Sequence, residues 1–200
     1  MPKIGMEPIR RQQLIEATLD SVAELGLHAT TINTISQRAG LSSGIISHYF
    51  GGKQGLLEAT VRHLLNNLKT NLLAKTQGGC TPLQRLMFIV ESNFSSMQQQ
   101  SNATRTWLSF WVQSMHDDRL HRLQNVNAKR LHSNLAASFS AYLSPAEARH
   151  AASLAAAMID GLWLRAVLGK ASESEFKQAE DQAKQYVASL IPNHGEQNYV

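Results

Sequence analysis

The sequence predicts an all-α protein of about nine helices. Apolar residues recur three and four positions apart along most of the 200 residues, which is the spacing of one helix face. Helix start signals divide this pattern, and the strongest is Ser144-Pro145-Ala146-Glu147, a capping box with proline at the first helical position. We find no alternation typical of a strand, no internal repeat and no low-complexity run.

The composition excludes several classes of protein. With 43% hydrophobic residues and one cysteine, the chain has a core that needs no disulfides and fits a reducing cytoplasm. No uninterrupted apolar run reaches the roughly 18 residues of a membrane span, and the N-terminus lacks the apolar core of a signal peptide. We therefore expect a soluble cytoplasmic protein without a membrane partner. The net charge of +4 permits phosphate binding but does not predict it unaided.

The first helix follows a mobile arm over residues 1–7. Pro8 suits the first helical turn, and Gly26 ends the helix. Its apolar face consists of Leu14, Thr18, Leu19, Val22 and Leu25. Arg10 and Arg11 lie near the junction with the arm, where they could reach a phosphate or a minor groove.

Residues 31–50 predict two short helices around a tight turn. Thr31 is a suitable N-cap for the first helix, Gly40 would end it in a left-handed conformation, and Ser42 can cap the second helix. The outward face of the second helix is small and polar, with Ser43, Gly44, Ser47, His48 and Tyr49. Such a helix suits a DNA major groove, about 12 Å wide. On spacing alone, an ordinary αα-hairpin is the alternative.

A long fourth helix, from about Lys53 to Lys75, would connect this region to the rest of the chain. Lys53 is suited to a phosphate contact, because free amides and the helix dipole favour anions at a helix N-terminus. The later helices start near Thr81-Pro82, Asn102, Asp117-Asp118, Ser144-Pro145 and Ser172-Glu173.

These N-terminal residues resemble the DNA-binding region of the TetR family of bacterial repressors. The resemblance covers residues 8 to about 57 and rests on Thr31, Ile35, Ala39-Gly40, Ser42, Gly44, Tyr49-Phe50, Lys53 and Leu56-Leu57. Many members carry Lys or Arg at the position of Ser43 and Tyr at that of Ser47, so the operator sequence is not indicated. The resemblance implies operator DNA contacted by Arg10, Arg11, Thr31, Ser42, Ser43, Gly44, Ser47, His48, Tyr49 and Lys53.

Residues 44–50 and 2–11 resemble, within that family, the choline-responsive members. This implies choline as effector and control of choline-to-glycine-betaine osmoprotection genes. The alternative is a repressor of an efflux or other operon that responds to another cationic or lipophilic ligand. The resemblance also implies a helix-turn-helix domain over residues 1–52, an effector-binding and dimerisation domain over 53–192, and a flexible tail over 193–200.

Small residues on the helix that starts at Pro145 allow another helix to approach closely. They are Ala148, Ala151, Ala152 and Ala155. The resemblance implies a homodimer through the last two helices, and a dimer that reads two half-sites also fits, because one short recognition helix supplies little affinity. The alternative is that these alanines pack only within one chain.

Aromatic residues on two helices predict a site for a cation. Trp107 and Trp111 share a helix face, and Trp163 follows Asp160 by three positions on another helix. Aromatic faces with a carboxylate attract a quaternary ammonium group, at ~0.5–2 kcal/mol per ring. The candidate ligand residues are Trp107, Phe110, Trp111, Asp160, Trp163 and, more weakly, Glu91. Alternatively, the rings are core residues and Asp160 serves packing or an inter-helix bond.

No catalytic constellation stands out. There is no Gly-x-Ser-x-Gly, no phosphate-binding loop and no two-cysteine motif. His116 and His121 are five apart, which does not align them on a helix face for a metal. We expect neither an enzyme nor a cofactor nor a metal site. A helical dimerisation protein without DNA binding is a third alternative.

Overall fold

The computed structural model describes residues 5–95 and 101–192, and all regular structure within those ranges is helical. The all-α prediction is confirmed. The nine helices of these ranges are α1 Met6–Ala29, α2 Ile32–Ala39, α3 Ser43–Phe50, α4 Lys53–Thr76, α5 Pro82–Asn93, α6 Ser101–Ser114, α7 Asp118–Phe139, α8 Pro145–Leu168 and α9 Glu173–Ser189.

The helices group into two compact units. One unit holds α1 to α3, the first part of α4, α6 and the start of α7; the other holds the rest of α4 and α7 together with α5, α8 and α9. The functional boundary expected at residue 52 stays a prediction. The predicted tail over 193–200 and the first four residues of the predicted arm lie outside the described residues.

α1 starts earlier than expected, because Met6 and Glu7 are already helical. Gly26 interrupts it with φ 76° and ψ 160°, a conformation open to glycine, so the regular helix ends where predicted. Leu25, expected on the apolar face, is exposed. The assignment failed because Leu25 directly precedes the break, after the last buried turn.

Four helices share the core of the N-terminal region. Leu14 and Ala17 from α1 meet Ile35 from α2, Ile46 from α3 and Leu56 from α4, all buried. Burying each large aliphatic side chain contributes about 1.5–3 kcal/mol. This shared core fixes the orientation of α3, which is too short to be stable alone.

Local capping follows the sequence at most helix starts. The Thr31 hydroxyl accepts from the Thr34 amide at 3.1 Å, and Gly40 ends α2 with φ 64°. Ser144 and Ser172 form capping boxes with the glutamates three residues later. Ser42 occupies the N-cap position of α3 but makes no side-chain cap hydrogen bond, so that expectation is corrected.

In the second unit, α8 packs along α9, and α5 packs against α9 as well. Four alanines of α8 are buried inside this single chain, namely Ala148, Ala151, Ala152 and Ala155. The expectation that they form the face presented to a second chain is therefore wrong. Their small side chains do permit a close approach, but the partner is within the chain.

One helix, α8, differs from the expectation that no segment is apolar enough to span a membrane. Within the described ranges, α8 is long and apolar enough to cross a membrane, with a mean hydropathy of 1.5 over 18 residues. Polar residues such as Arg149 and Asp160 interrupt α8, so it contains no uninterrupted apolar run of that length. Core helices of soluble proteins pass the same test, and seven residues of α8 are buried. The length and composition of α8 are therefore not evidence that it contacts a membrane.

Helical spacing predicts Phe94 and Met97 on one face of the helix that starts at Thr81-Pro82, and the helix that starts at Asn102 is predicted to include Met115. Met115 lies beyond the last residue of α6 and is exposed, while Phe94 lies at the C-cap of α5 and is buried. Met97, predicted on the same face as Phe94, falls outside the described residues.

Candidate functional site

The outward face of α3 is small, polar and accessible. Its exposed residues are Ser43, Gly44, Ser47 and His48, while Ile46 on the opposite side is buried. Tyr49 is half-buried, because its ring packs against the shared core; its centroid lies 5.1 Å from that of His48. α3 therefore offers a narrow polar ridge, with Tyr49 at its edge.

The residues flanking the turn are also accessible. Thr31 and Ser42 are exposed, although the Thr31 hydroxyl is engaged in the cap of α2. Arg10 is half-buried on α1. Thr31 and Ser42 stand at the starts of α2 and α3, where free amides favour an anion.

The guanidinium of Arg11, predicted as a DNA contact, is engaged within the protein. Nη1 donates to the Tyr49 carbonyl at 2.7 Å and lies 3.3 Å from a Glu7 carboxylate oxygen. The guanidinium also lies 4.5 Å from the centroid of the Phe50 ring. A cation at the C-terminal end of α3 is favoured by the helix dipole. Arg11 thus ties α1 to the end of the recognition helix.

Lys53 is the first residue of α4 and is half-buried. Its Nζ lies 3.5 Å from the Leu27 carbonyl oxygen, at the long limit of a hydrogen bond. A contact this weak leaves the ammonium able to turn towards an anion.

Two further contacts hold α6 on α1. Asn102 donates to Asp20 at 3.0 Å, and the Arg105 guanidinium donates to the Ala23 carbonyl. In each of the two hydrogen bonds, the donor and the acceptor residue are 82 positions apart along the chain. Sequence reasoning missed these residues because no local pattern marks a contact at that separation.

Asp117 joins α4 to α7 through both of its carboxylate oxygens. Oδ1 accepts from the backbone amides of Arg119 and Leu120 at 2.9 and 3.0 Å, which caps α7. Oδ2 accepts from the Gln54 side chain at 2.6 Å. The sequence Asp117-Asp118 predicts the cap of α7, whereas no sequence pattern predicts the hydrogen bond with Gln54.

The aromatic residues of α6 are largely enclosed. Trp107 and Phe110 are buried and meet edge to face, with centroids 5.7 Å apart and planes at 60°. Trp111 is half-buried. Trp107 and Phe110 have the burial and geometry of core residues, and their contact with a ligand stays a prediction.

Asp160 on α8 is in contact with solvent, yet ionisation of its carboxyl group is unfavourable. Its surface is exposed, yet enough protein surrounds the carboxyl that desolvation raises its pKa to about 6. Trp163, one turn later on the same helix, is buried. Because the surrounding protein stabilises the ionised carboxylate poorly, the electrostatic attraction between Asp160 and a bound cation would be stronger than at a fully hydrated carboxylate.

Glu91 is a poorer partner for a ligand cation. Lys75 and Lys184 each place Nζ 2.7 Å from one of its oxygens. Burial acts to raise the pKa of Glu91, but the hydrogen bonds from Lys184 and Lys75 outweigh it and hold the pKa below its ordinary value. Its charge is already compensated, which argues against the weaker carboxylate candidate.

Two family models match the chain. Residues 14–60 match the bacterial regulatory proteins of the tetR family, and residues 82–192 match the C-terminal region of the BetI-type transcriptional repressor. The chain belongs to the TetR family. The predicted family is therefore confirmed, and so is the prediction of a transcriptional regulator rather than an enzyme.

Relatives of this TetR-family chain agree with the assignment. It is 53% identical over 182 residues to the HTH-type transcriptional regulator BetI of Serratia proteamaculans, covering 90% of each chain. It is 54% identical to BetI of Pectobacterium atrosepticum, over 84% of this chain and 87% of the relative. A transcriptional regulator from Saccharomonospora viridis, solved in complex with choline, shares the fold with a TM-score of 0.79 at 19% identity, covering 92% and 98% of the two chains.

Proposed function

We propose that this TetR-family repressor binds operator DNA as a cytoplasmic homodimer and responds to choline, controlling genes that convert choline to glycine betaine under osmotic stress. The accessible polar face of α3 carries the DNA-binding part. The effector part is supported by the identity to BetI regulators and by the raised pKa of Asp160.

The operator contacts follow from what is exposed around α3. Ser43, Gly44, Ser47 and His48 enter the major groove, with Tyr49 at the edge. Lys53 leaves its weak contact with Leu27 to meet a phosphate. Thr31, Ser42 and Arg10 lie at the backbone on either side, where such contacts set the register on the duplex.

The dimer forms through the face of α8 that the chain leaves open. Leu154, Ala157, Gly161 and Leu168 are exposed at spacings of three, four and seven, which place them on one face of the helix. An apolar stripe of this kind on a soluble protein marks an interface. Among the described residues, no atom beyond the local backbone lies within 4 Å of the position of a Gly161 β-carbon, so a second copy of α8 has room to come close. α9, which packs along α8, completes the pair of helices that meets its copy.

Choline binds at Asp160 in this proposal. Its trimethylammonium group has no hydrogen to donate, so it is held by charge and by aromatic faces rather than by hydrogen bonds. Binding of the effector favours a conformer in which the two α3 helices are wrongly spaced for the operator. A coupling of ~1–3 kcal/mol would weaken operator binding about 5–150-fold.

Calorimetric titration of the purified protein with choline tests the effector. Saturable binding that is lost in Asp160→Asn, and kept in Glu173→Gln as an exposed acidic control on α9, is the expected result. A fluorescence-anisotropy titration of labelled operator should then give a higher Kd at saturating choline than without it. Binding unaffected by Asp160→Asn would reject the site. No binding at all would reject choline and leave the repressor with another cationic or lipophilic effector.

A further inference from the structure

A cleft of about 700 Å³ lies within the first unit, and no residue of the outward face of α3 lines it. Leu27 and His28 from the end of α1 form one wall, Lys53 and Leu57 from α4 the second, and Val112 with its neighbours on α6 the third. Its volume lies within the ~300–1,000 Å³ typical of small-molecule sites. Of the proposed operator and choline contacts, Lys53 lines this cleft, and the other lining residues have no role in them.

The Lys53 side of the cleft is positively charged. Lys53 contributes its ammonium there, 3.5 Å from the Leu27 carbonyl oxygen. It stands at the N-terminus of α4, where free amides and the helix dipole add further positive potential. None of the described residues that line the cleft is an aspartate or glutamate, although Asp117 accepts a hydrogen bond from the lining residue Gln54. The charge of Lys53 therefore favours an anion beside it over a cation such as choline.

Aliphatic and polar side chains share the rest of the lining. Leu57 and Leu108 contribute aliphatic surface, and Val112, near the end of α6, is 57% exposed; Gln54, Ser109 and Gln113 are the polar residues beside them. An aliphatic chain laid along Leu57, Leu108 and Val112 would remove that surface from water. A molecule with one anionic head and an aliphatic tail matches both Lys53 and these aliphatic side chains.

We propose that this cleft binds an amphipathic carboxylate, with its head at Lys53 and its tail along Leu57 and Val112. This second ligand site goes beyond the proposed choline response and does not depend on it. Since Lys53 is also a proposed phosphate contact, a carboxylate in the cleft and the operator compete for the same ammonium. The repressor would then be released from DNA by an anion at one site as well as by a cation at another.

Calorimetric titration of the full chain with octanoate, in the absence of DNA, tests the site. 1-Octanol has the same tail without the charge and is the matched ligand control. We expect saturable octanoate binding and octanol binding weaker by about tenfold or more, the effect of losing one hydrogen bond to a charged group. Equal affinities for the two ligands, or no saturation of octanoate below its micelle concentration, would overturn the proposal.

Variants locate the binding. Lys53→Gln should weaken octanoate about tenfold and leave octanol unchanged, while Val112→Asp should abolish octanoate binding by placing a carboxylate in the cleft. Lys69→Gln, an exposed lysine further along α4, is the control and should bind as the wild type does. Thermal unfolding checks that each variant is folded. Octanoate affinity unchanged in Lys53→Gln would place the ligand elsewhere and reject the site, whatever the outcome with choline.

Competition gives an independent readout. Octanoate should raise the apparent Kd for labelled operator in proportion to its concentration in the wild type. The Lys53→Gln repressor, which lacks the shared ammonium, should bind the operator more weakly but show no further loss with octanoate. A loss of equal size in both proteins would contradict competition at Lys53.

Discussion

Arg11, predicted as a DNA contact, places its guanidinium on groups of its own chain at the end of α3. Its guanidinium holds the Tyr49 carbonyl and the Phe50 ring, so it fixes the end of α3 relative to α1. Arg11→Ala should lower the free energy of unfolding by about 1.5–3 kcal/mol, the contribution of a hydrogen bond to a charged group. Chemical denaturation measures this, with Arg122→Ala, an exposed arginine on α7, as the control.

The salt dependence of operator binding separates the two roles of Arg11. A lost phosphate contact reduces the slope of log K against log salt by about 1. A positioning residue weakens binding at all salt concentrations and leaves the slope unchanged, which is the result we expect. A reduced slope with unchanged stability would instead restore the original prediction of a phosphate contact.

The raised pKa of Asp160 should make the stability of the chain and, at the proposed choline site, the affinity for the ligand depend on pH in opposite directions. Its pKa is about 6 in the folded chain against an ordinary value of 3.8, so the native state holds this proton more tightly. The associated stability is full below the ordinary value and is lost as the pH rises through about 6. Asp160→Asn should therefore raise the melting temperature above pH 6 and change it little in acid. Melting curves of both proteins across this range measure it, and an equal shift at every pH would contradict the assignment.

Choline affinity should follow the ionised fraction of the same carboxyl. Calorimetry above and below pH 6 should show tighter binding at the higher pH, because only the ionised form attracts the cation. Affinity that does not change across this range would exclude Asp160 from the site.

At the scale of the helix, capping can be tested within one chain. The Ser144 hydroxyl accepts from the Glu147 amide, whereas Ser42 occupies an equivalent position without a side-chain cap bond. Ser144→Ala should destabilise the protein by about 1 kcal/mol and Ser42→Ala by much less. Urea denaturation of the two variants gives the comparison, and equal losses would show that the geometry at Ser42 differs from that described.

The helices were predictable because their signals are local. A cap joins residues three apart, and an apolar face repeats every three or four, so Thr31, Gly40 and the Ser144 box could be read directly. The partner of a face is a different matter. The alanines of α8 show the same spacing whether they meet α9 or a second chain, and only the fold decides.

The site was predictable in part for the same reason. The outward face of α3 follows from helical spacing, and its exposure agrees. The link between Gln54 and Asp117 spans 63 positions, and the bond from Arg11 to Tyr49 spans 38. The raised pKa of Asp160 depends on the protein around it rather than on its sequence neighbours. None of these leaves a local signal.

At the scale of the whole molecule, the proposed dimer predicts a change in mass. Leu154→Arg places a charge on the exposed stripe of α8 and should shift the protein from the mass of two chains to that of one in light scattering. Leu73→Arg alters a comparably exposed leucine on α4 and should leave the dimer intact. The melting temperature of the wild type should also rise with protein concentration. A Leu154→Arg protein that still has the mass of two chains would exclude this face.

Operator affinity should fall with the dimer. A single α3 contacts one half-site, so the Leu154→Arg repressor should bind a two-half-site operator no better than an isolated half-site. If the variant still prefers the operator with two half-sites, the two chains must associate through another surface.

The carboxyl group of Asp117 has a mechanical consequence. Its two oxygens are fixed to one carbon atom, and each holds a different helix: Oδ1 the first turn of α7, Oδ2 the Gln54 side chain at the start of α4. A displacement of the first turn of α7 therefore moves the acceptor of the Gln54 side chain as well. That side chain must follow by rotation, draw the start of α4 with it, or give up a hydrogen bond of 2.6 Å. The carboxyl group thus couples the positions of two helix starts through residues that are 63 positions apart in the sequence.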